Sequence, residues 1–166
     1  MEDIIDEYIA NNRLELFPVD ERIYFHNIVS LIISQRIRFT QSRKIRSKIY
    51  QNLGTNKLDN ILQLTQEQRA YCGLSDGKWQ TICNFADNQN QNQRIPGIGE
   101  WTINCQKIMC GDYSCGFLSN DSSVNSLVRK IVGPISDEQI KRLYSGPGLK
   151  ERGGRAFSAL WNSIRG

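Results

Sequence analysis

Ile95-Pro96-Gly97-Ile98-Gly99 is the stretch of this sequence whose residue types and spacing suit chemistry with a phosphate. Its two glycines let the chain turn tightly and let a partner come close to the backbone. Amides of such a turn, together with those of a helix starting near Glu100, can hold an anion with help from the helix dipole. Ile98, between the glycines, would plug the turn into the core beneath it. A grip of this kind reads no bases, so it implies nucleic-acid binding rather than a reaction. From these residues alone, an ordinary Gly-rich turn between two helices is the alternative.

Charge supports a polyanion partner. The segment 36–48 carries Arg36, Arg38, Arg43, Lys44, Arg46 and Lys48 with no acid, although the net charge of the chain is only +4. Residues 1–22 show the opposite bias, with seven acids against Arg13 and Arg22. A one-signed basic run suits phosphates because each neutralised charge releases counterions, although a solvated helix face has the same composition. Other chemistries find less material. Five cysteines, at 72, 83, 105, 110 and 115, form no CxxC pair, and His26 is the sole histidine, so zinc and iron–sulfur spacings are missing. The cysteines read as reduced, mostly buried small hydrophobes.

The elements that must position these residues are helical. Glu21 to Arg36 holds Ile23, Phe25, Ile28, Val29, Leu31, Ile32 and Ile33, apolar nearly all round, and predicts a central buried helix. A basic amphipathic helix over about 40–53 ends at Gly54. Thr65-Gln66-Glu67-Gln68 and Ser136-Asp137-Glu138-Gln139 have the form of capping boxes, the first helix ending at Gly73 and the second running to about Tyr144. Another helix starts at Ser75 and precedes the polar run Asn88 to Gln93, the expected flexible loop. Trp101, Cys105, Ile108 and Met109 form one stripe; Val124, Leu127, Val128, Ile131 and Val132 form a cleaner one ending at Gly133. A last helix is expected over about 154–165. No strand pattern of useful length and no internal repeat occur, so an all-α fold is expected, with a core that 39% hydrophobic residues can fill.

Taken as a whole, Ile95-Pro96-Gly97-Ile98-Gly99-Glu100-Trp101-Thr102 resembles the hairpin of the helix–hairpin–helix (HhH-GPD) DNA glycosylase superfamily, in its 3-methyladenine DNA glycosylase II branch. Three further blocks match in order: Ile33-Ser34-Gln35, Gly73-Leu74-Ser75 with Lys78, and Arg155-Ala156-Phe157 through Trp161. The resemblance spans about residues 22–165 and implies a compact helical glycosylase domain over 22–166, with 1–21 an acidic helical appendage. It implies the catalytic aspartate at Asp121, in Phe117-Leu118-Ser119-Asn120-Asp121. DNA contacts would fall on Gln35, Arg36, Lys78, Gly97, Ile98, Gly99 and Thr102, and Trp101 would line the base pocket. Bifunctional relatives place a Schiff-base lysine where this chain has Trp101, so a monofunctional enzyme is implied. The family's hairpin can hold a monovalent cation on backbone carbonyls, here those of Ile95 and Ile98; no other cofactor is implied.

Read from spacing alone, Asp121 also suits a purely structural N-cap, Trp101 a packing role and Gln35 a hydrogen bond within the core. The chain is shorter than the family between Lys78 and Ile95, so the first helix of the pair is shortened or supplied by the end of the 75–87 helix. It carries Lys150-Glu151-Arg152-Gly153-Gly154 where the family can place aromatics before its last helix, and 1–21 do not match that family's β-rich N-terminal domain. The expected partner is double-stranded DNA with a damaged, alkylated base, bound by a monomer. Neither a signal-peptide pattern nor a bilayer-spanning apolar run occurs, so an intracellular, soluble location at nucleus, nucleoid or viral replication site is expected. Excision of uracil or another lesion, a non-catalytic DNA-binding module and a helical protein-interaction domain are the alternatives.

Overall fold

Apolar periodicity foretells most of the helices, and the computed structural model, which describes residues 1–18, 24–88 and 94–165, contains no strand among them. Nine α-helices follow in order among those residues: α1 (Glu2–Asn11), α2 (Tyr24–Ser34), α3 (Phe39–Leu53), α4 (Gln66–Cys72), α5 (Asp76–Asp87), α6 (Glu100–Met109), α7 (Ser122–Val132), α8 (Asp137–Lys141) and α9 (Lys150–Arg165). The expected helix start at Glu21, the boundary at 21/22 and residues 89–93 of the Asn/Gln run lie outside the described residues. No helix among the described residues is long and apolar enough to cross a membrane. The chain divides into two compact units, a central one of Arg22–Gln106 and a terminal one of Met1–Glu21 with Lys107–Gly166; the division falls inside α6.

In the central unit, α2 is buried as its composition demands. Val29, Leu31, Ile32 and Ile33 are fully buried, and α3 and α5 pack against the helix. Ile45 and Ile49 of α3, Cys72 of α4, and Ile82 and Phe85 of α5 complete that core. Gly54 and Gly73 end α3 and α4 in the left-handed conformation, φ 65° and 79°, where glycine has no Cβ penalty. The capping box Thr65/Gln68 starts α4 with both reciprocal bonds made.

In the terminal unit, α1 is more than the appendage read from the sequence. It packs against α7 and α9 and buries Ile5 completely. The segment after α1 stays on α9, where the Phe17 amide donates to Ser158 Oγ at 2.9 Å and the Phe17 ring lies 5.2 Å from Trp161. Two elements depart from periodicity. Helix α9 starts at Lys150 rather than near 154 and passes through Gly153-Gly154, both buried. Those glycines let other backbone in: a Cβ on Gly154 would lie 2.3 Å from the Tyr113 carbonyl oxygen. Helix α8 stops at Lys141, short of Tyr144, because Tyr144 turns to φ 56° and gives its hydroxyl to Asp6 Oδ1 at 2.6 Å.

Burial and that hydrogen bond push the Tyr144 phenol far above the ordinary tyrosine range. A raised folded-state pKa means that the folded protein keeps a proton which the unfolded chain loses near pH ~10. The stabilisation is therefore complete below about pH 10 and lost progressively above it. Urea midpoints measured from pH 8 to 11 should fall less steeply for Tyr144→Phe, which cannot ionise, than for the wild type. Equal slopes would remove Tyr144 as the source.

Candidate functional site

Within the central unit the hairpin joins α5 to α6, so the end of the 75–87 helix supplies its first arm. Ile98 N donates to Ile95 O at 3.1 Å and closes the turn, while both isoleucine side chains pack on the core of the unit. Gly97 adopts φ 86° and sits against α5, where a Cβ would meet Thr81 Oγ1 at 2.2 Å. Gly99 is different: a Cβ there would meet nothing within 4 Å, so this residue leaves open space at the head of α6. Pro96, Gly97 and Gly99 are exposed, which keeps this backbone accessible.

The Ser-Gln block meets the hairpin directly. Gln35, just past α2, donates from Nε2 to Gly97 O at 2.9 Å and to Thr102 Oγ1 at 3.0 Å. These bonds fasten the end of α2 to the turn and give the Gln35 amide an internal role. Thr102, expected as a DNA contact, is 1% exposed: at the third position of α6 its hydroxyl accepts from Gln35 and faces inward. Lys78, expected as a DNA contact, is half-buried and has a partner within the protein. Its ammonium reaches the Ile33 carbonyl at 2.5 Å, one of the carbonyls that the end of α2 leaves unpaired, and burial lowers its pKa. Arg36 next to Gln35 is exposed and left-handed, φ 56°, a conformation that non-glycine residues seldom adopt. Trp101 is half-buried on α6.

Asp121 lies in the terminal unit and caps α7. Its Oδ1 accepts from Ser123 N at 3.0 Å and Val124 N at 2.9 Å, and the residue is 7% exposed. The loop before it is fixed from α7 by Asn125, whose Nδ2 donates to Ser119 O at 2.7 Å. A carboxylate so held keeps one orientation. Thr81 and Asn125 are the residues that the sequence reading missed. Neither carries a signal of its own, because Thr81 matters through the space it takes from Gly97 and Asn125 through a backbone oxygen. No group of three or more His, Cys, Asp or Glu side chains gathers to hold a metal among the described residues.

No protein-family model matches the chain, and no curated protein matches it. Among solved structures, a DNA-3-methyladenine glycosidase from Bacillus halodurans matches with a TM-score of 0.65. The match covers 97% of this chain and 84% of that one at 16% sequence identity. At that identity the likeness is one of fold, and this chain has the all-α helix–hairpin–helix glycosylase fold that its motif blocks imply.

Proposed function

We propose that this protein is a monofunctional DNA glycosylase that removes damaged, alkylated purines from duplex DNA. The observation that carries the proposal is Asp121, a buried carboxylate locked at the head of α7 in a chain with the fold of a DNA-3-methyladenine glycosidase. Breaking the N-glycosidic bond sends its electron pair out with the base and leaves positive charge on C1′ and the ring oxygen. A fixed carboxylate stabilises that charge and takes a proton from the water that adds at C1′. Alkylation that leaves the base cationic makes it a better leaving group, so one carboxylate suffices. The hairpin supplies the hold on DNA: exposed amides around Gly97 and Gly99 suit a backbone phosphate, and a monovalent cation on the Ile95 and Ile98 carbonyls would complete that grip. Arg36, exposed beside the hairpin-bound Gln35, suits the gap left by a flipped base, and Trp101 offers a face for stacking.

Trp101 also favours the monofunctional reading, since the resembling bifunctional enzymes carry their amine at that place. The test is a panel of duplexes, each with one alkylated, deaminated or oxidised base, incubated with the protein and then treated with alkali. Strand breaks that appear only after alkali, on at least one alkylated duplex, are expected. Breaks without alkali would overturn the monofunctional reading. Binding with no base release from any duplex would favour a non-catalytic DNA-binding module.

A further inference from the structure

Charge is sorted between the two units. The central unit holds 11 of the 21 Lys and Arg residues but only five of the 17 acids. Among the described residues, every ion pair lies in the terminal unit, as with Arg152 and Asp3 at 2.8 Å or Arg155 and Glu151 at 2.9 Å. The basic residues of the corner between α2 and α3 therefore have no carboxylate among the described residues. Arg38 is the N-cap of α3, the first turn of α3 has no acid, and Arg43 and Lys44 are exposed on its outer face. Lys48 is set apart, since it turns back on α4, donating to Tyr71 O at 3.0 Å.

Arg46 is the unusual member. It is only 9% exposed, yet its hydrogen bonds go to two neutral hydroxyls, Ser30 Oγ at 3.1 Å and Ser34 Oγ at 3.2 Å, both from Nη1. Its guanidinium carbon lies 5.6 Å from the centre of the Phe39 ring, and that of Arg43 lies 5.9 Å from it. Burial lowers the pKa of Arg46, a sign of a cation short of compensation. A buried charge without an opposite one is costly to keep, and a polyanion docked over the corner would supply the missing partner.

We infer that Arg38, Arg43 and Lys44, with Arg46 beneath them around Phe39, form a second backbone-phosphate contact for duplex DNA, separate from the hairpin. This inference rests on the glycosylase reading only in taking duplex DNA as the partner. Geometry favours that partner because Gln35, three residues before Arg38, is bonded to the hairpin carbonyl of Gly97. From Arg38 to Lys44 is about 9 Å of helix, enough to follow two or three phosphates of one strand at ~3.4 Å of axial spacing. The contact is to the backbone, so it strengthens damaged and undamaged duplexes alike.

The experiment uses the full chain, an undamaged duplex and fluorescence anisotropy over a series of salt concentrations. Arg43→Ala/Lys44→Ala should lower affinity about tenfold and reduce the slope of log affinity against log salt by about 2. Arg46→Gln keeps an amide for the serine hydroxyls but removes the charge, and should reduce the slope by about 1. Lys141→Ala/Arg142→Ala removes the same charge from the C-terminal end of α8 and its cap, where both residues pair with Glu138, and should leave the slope unchanged. Circular dichroism checks that each variant is folded. Wild-type slope and affinity in both corner variants would overturn the inference and leave the hairpin as the grip. Equal losses in the α8 variant would also overturn it, as an effect of net charge. Failure of the wild type to bind duplex at low salt would overturn this inference together with the glycosylase reading.

Discussion

Asp121→Asn is expected to leave the protein folded and to lower base release by roughly 100-fold or more. The two halves of that expectation come from different properties of one side chain. As an N-cap, Asp121 is defined by its Oδ1, which accepts from Ser123 N and Val124 N. Asparagine presents an amide oxygen at the same position and caps helices about as well. Only the interaction of the charge with the α7 dipole is lost, worth about 0.3–1 kcal/mol. As the stabiliser of an oxocarbenium-like state, by contrast, the residue acts through its negative charge, which the amide lacks. Asp121→Ala is the poorer experiment, because it removes cap and charge together and costs about 0.5–2 kcal/mol of stability. Single-turnover base release and a urea melt on the same preparation separate the outcomes. Wild-type release in Asp121→Asn would end the catalytic assignment. Lost release with a large fall in the urea midpoint would make the residue structural.

What the sequence disclosed, and what it withheld, divides by range. Local rules acted as written at Gly54 and Gly73, at both capping boxes, and along the Val124–Val128 stripe of α7. Each of those features involves residues within one or two turns of each other. Less was legible where a distant partner decided. Gly153-Gly154 look like the outer edge of the last helix, expected from about 154, since glycine is poor in helix interiors. Tyr113 and Tyr144 pack where their side chains would be, and α9 runs through them. Lys78 was legible as part of a motif, whereas its bond to the Ile33 carbonyl spans 45 residues. Gln35 was legible as part of a motif, whereas its bonds to Gly97 and Thr102 span 62 and 67 residues. That the α3 cations have no carboxylate partner among the described residues was half legible. The absence of acids from 36–48 is plain in the sequence, but the burial of Arg46 is set by how α3 lies on α2.

Gly97→Ala should cost about 2–4 kcal/mol of stability and weaken duplex binding strongly, because overpacking and a left-handed φ add at one residue. The alanine Cβ would come within 2.2 Å of Thr81 Oγ1, 2.7 Å of Cγ2 and 3.0 Å of Cβ. Thr81 has little freedom to retreat: it is β-branched, lies inside α5, and donates its hydroxyl to Gly77 O at 3.0 Å. The turn must move instead, which breaks the Gly97 carbonyl away from Gln35 and takes the Ile98 plug and the amides ahead of α6 with it. A second substitution separates the two causes. Thr81→Ala removes Oγ1 and Cγ2, leaving the contact at 3.0 Å and the φ of 86°. In that background Gly97→Ala should cost only about 1 kcal/mol, the strain of an alanine at positive φ, and duplex binding should return in part. Chemical denaturation of the four proteins of this cycle gives the coupling directly. Additive effects, with no recovery of binding in the double variant, would mean that Gly97 serves something other than its fit against α5.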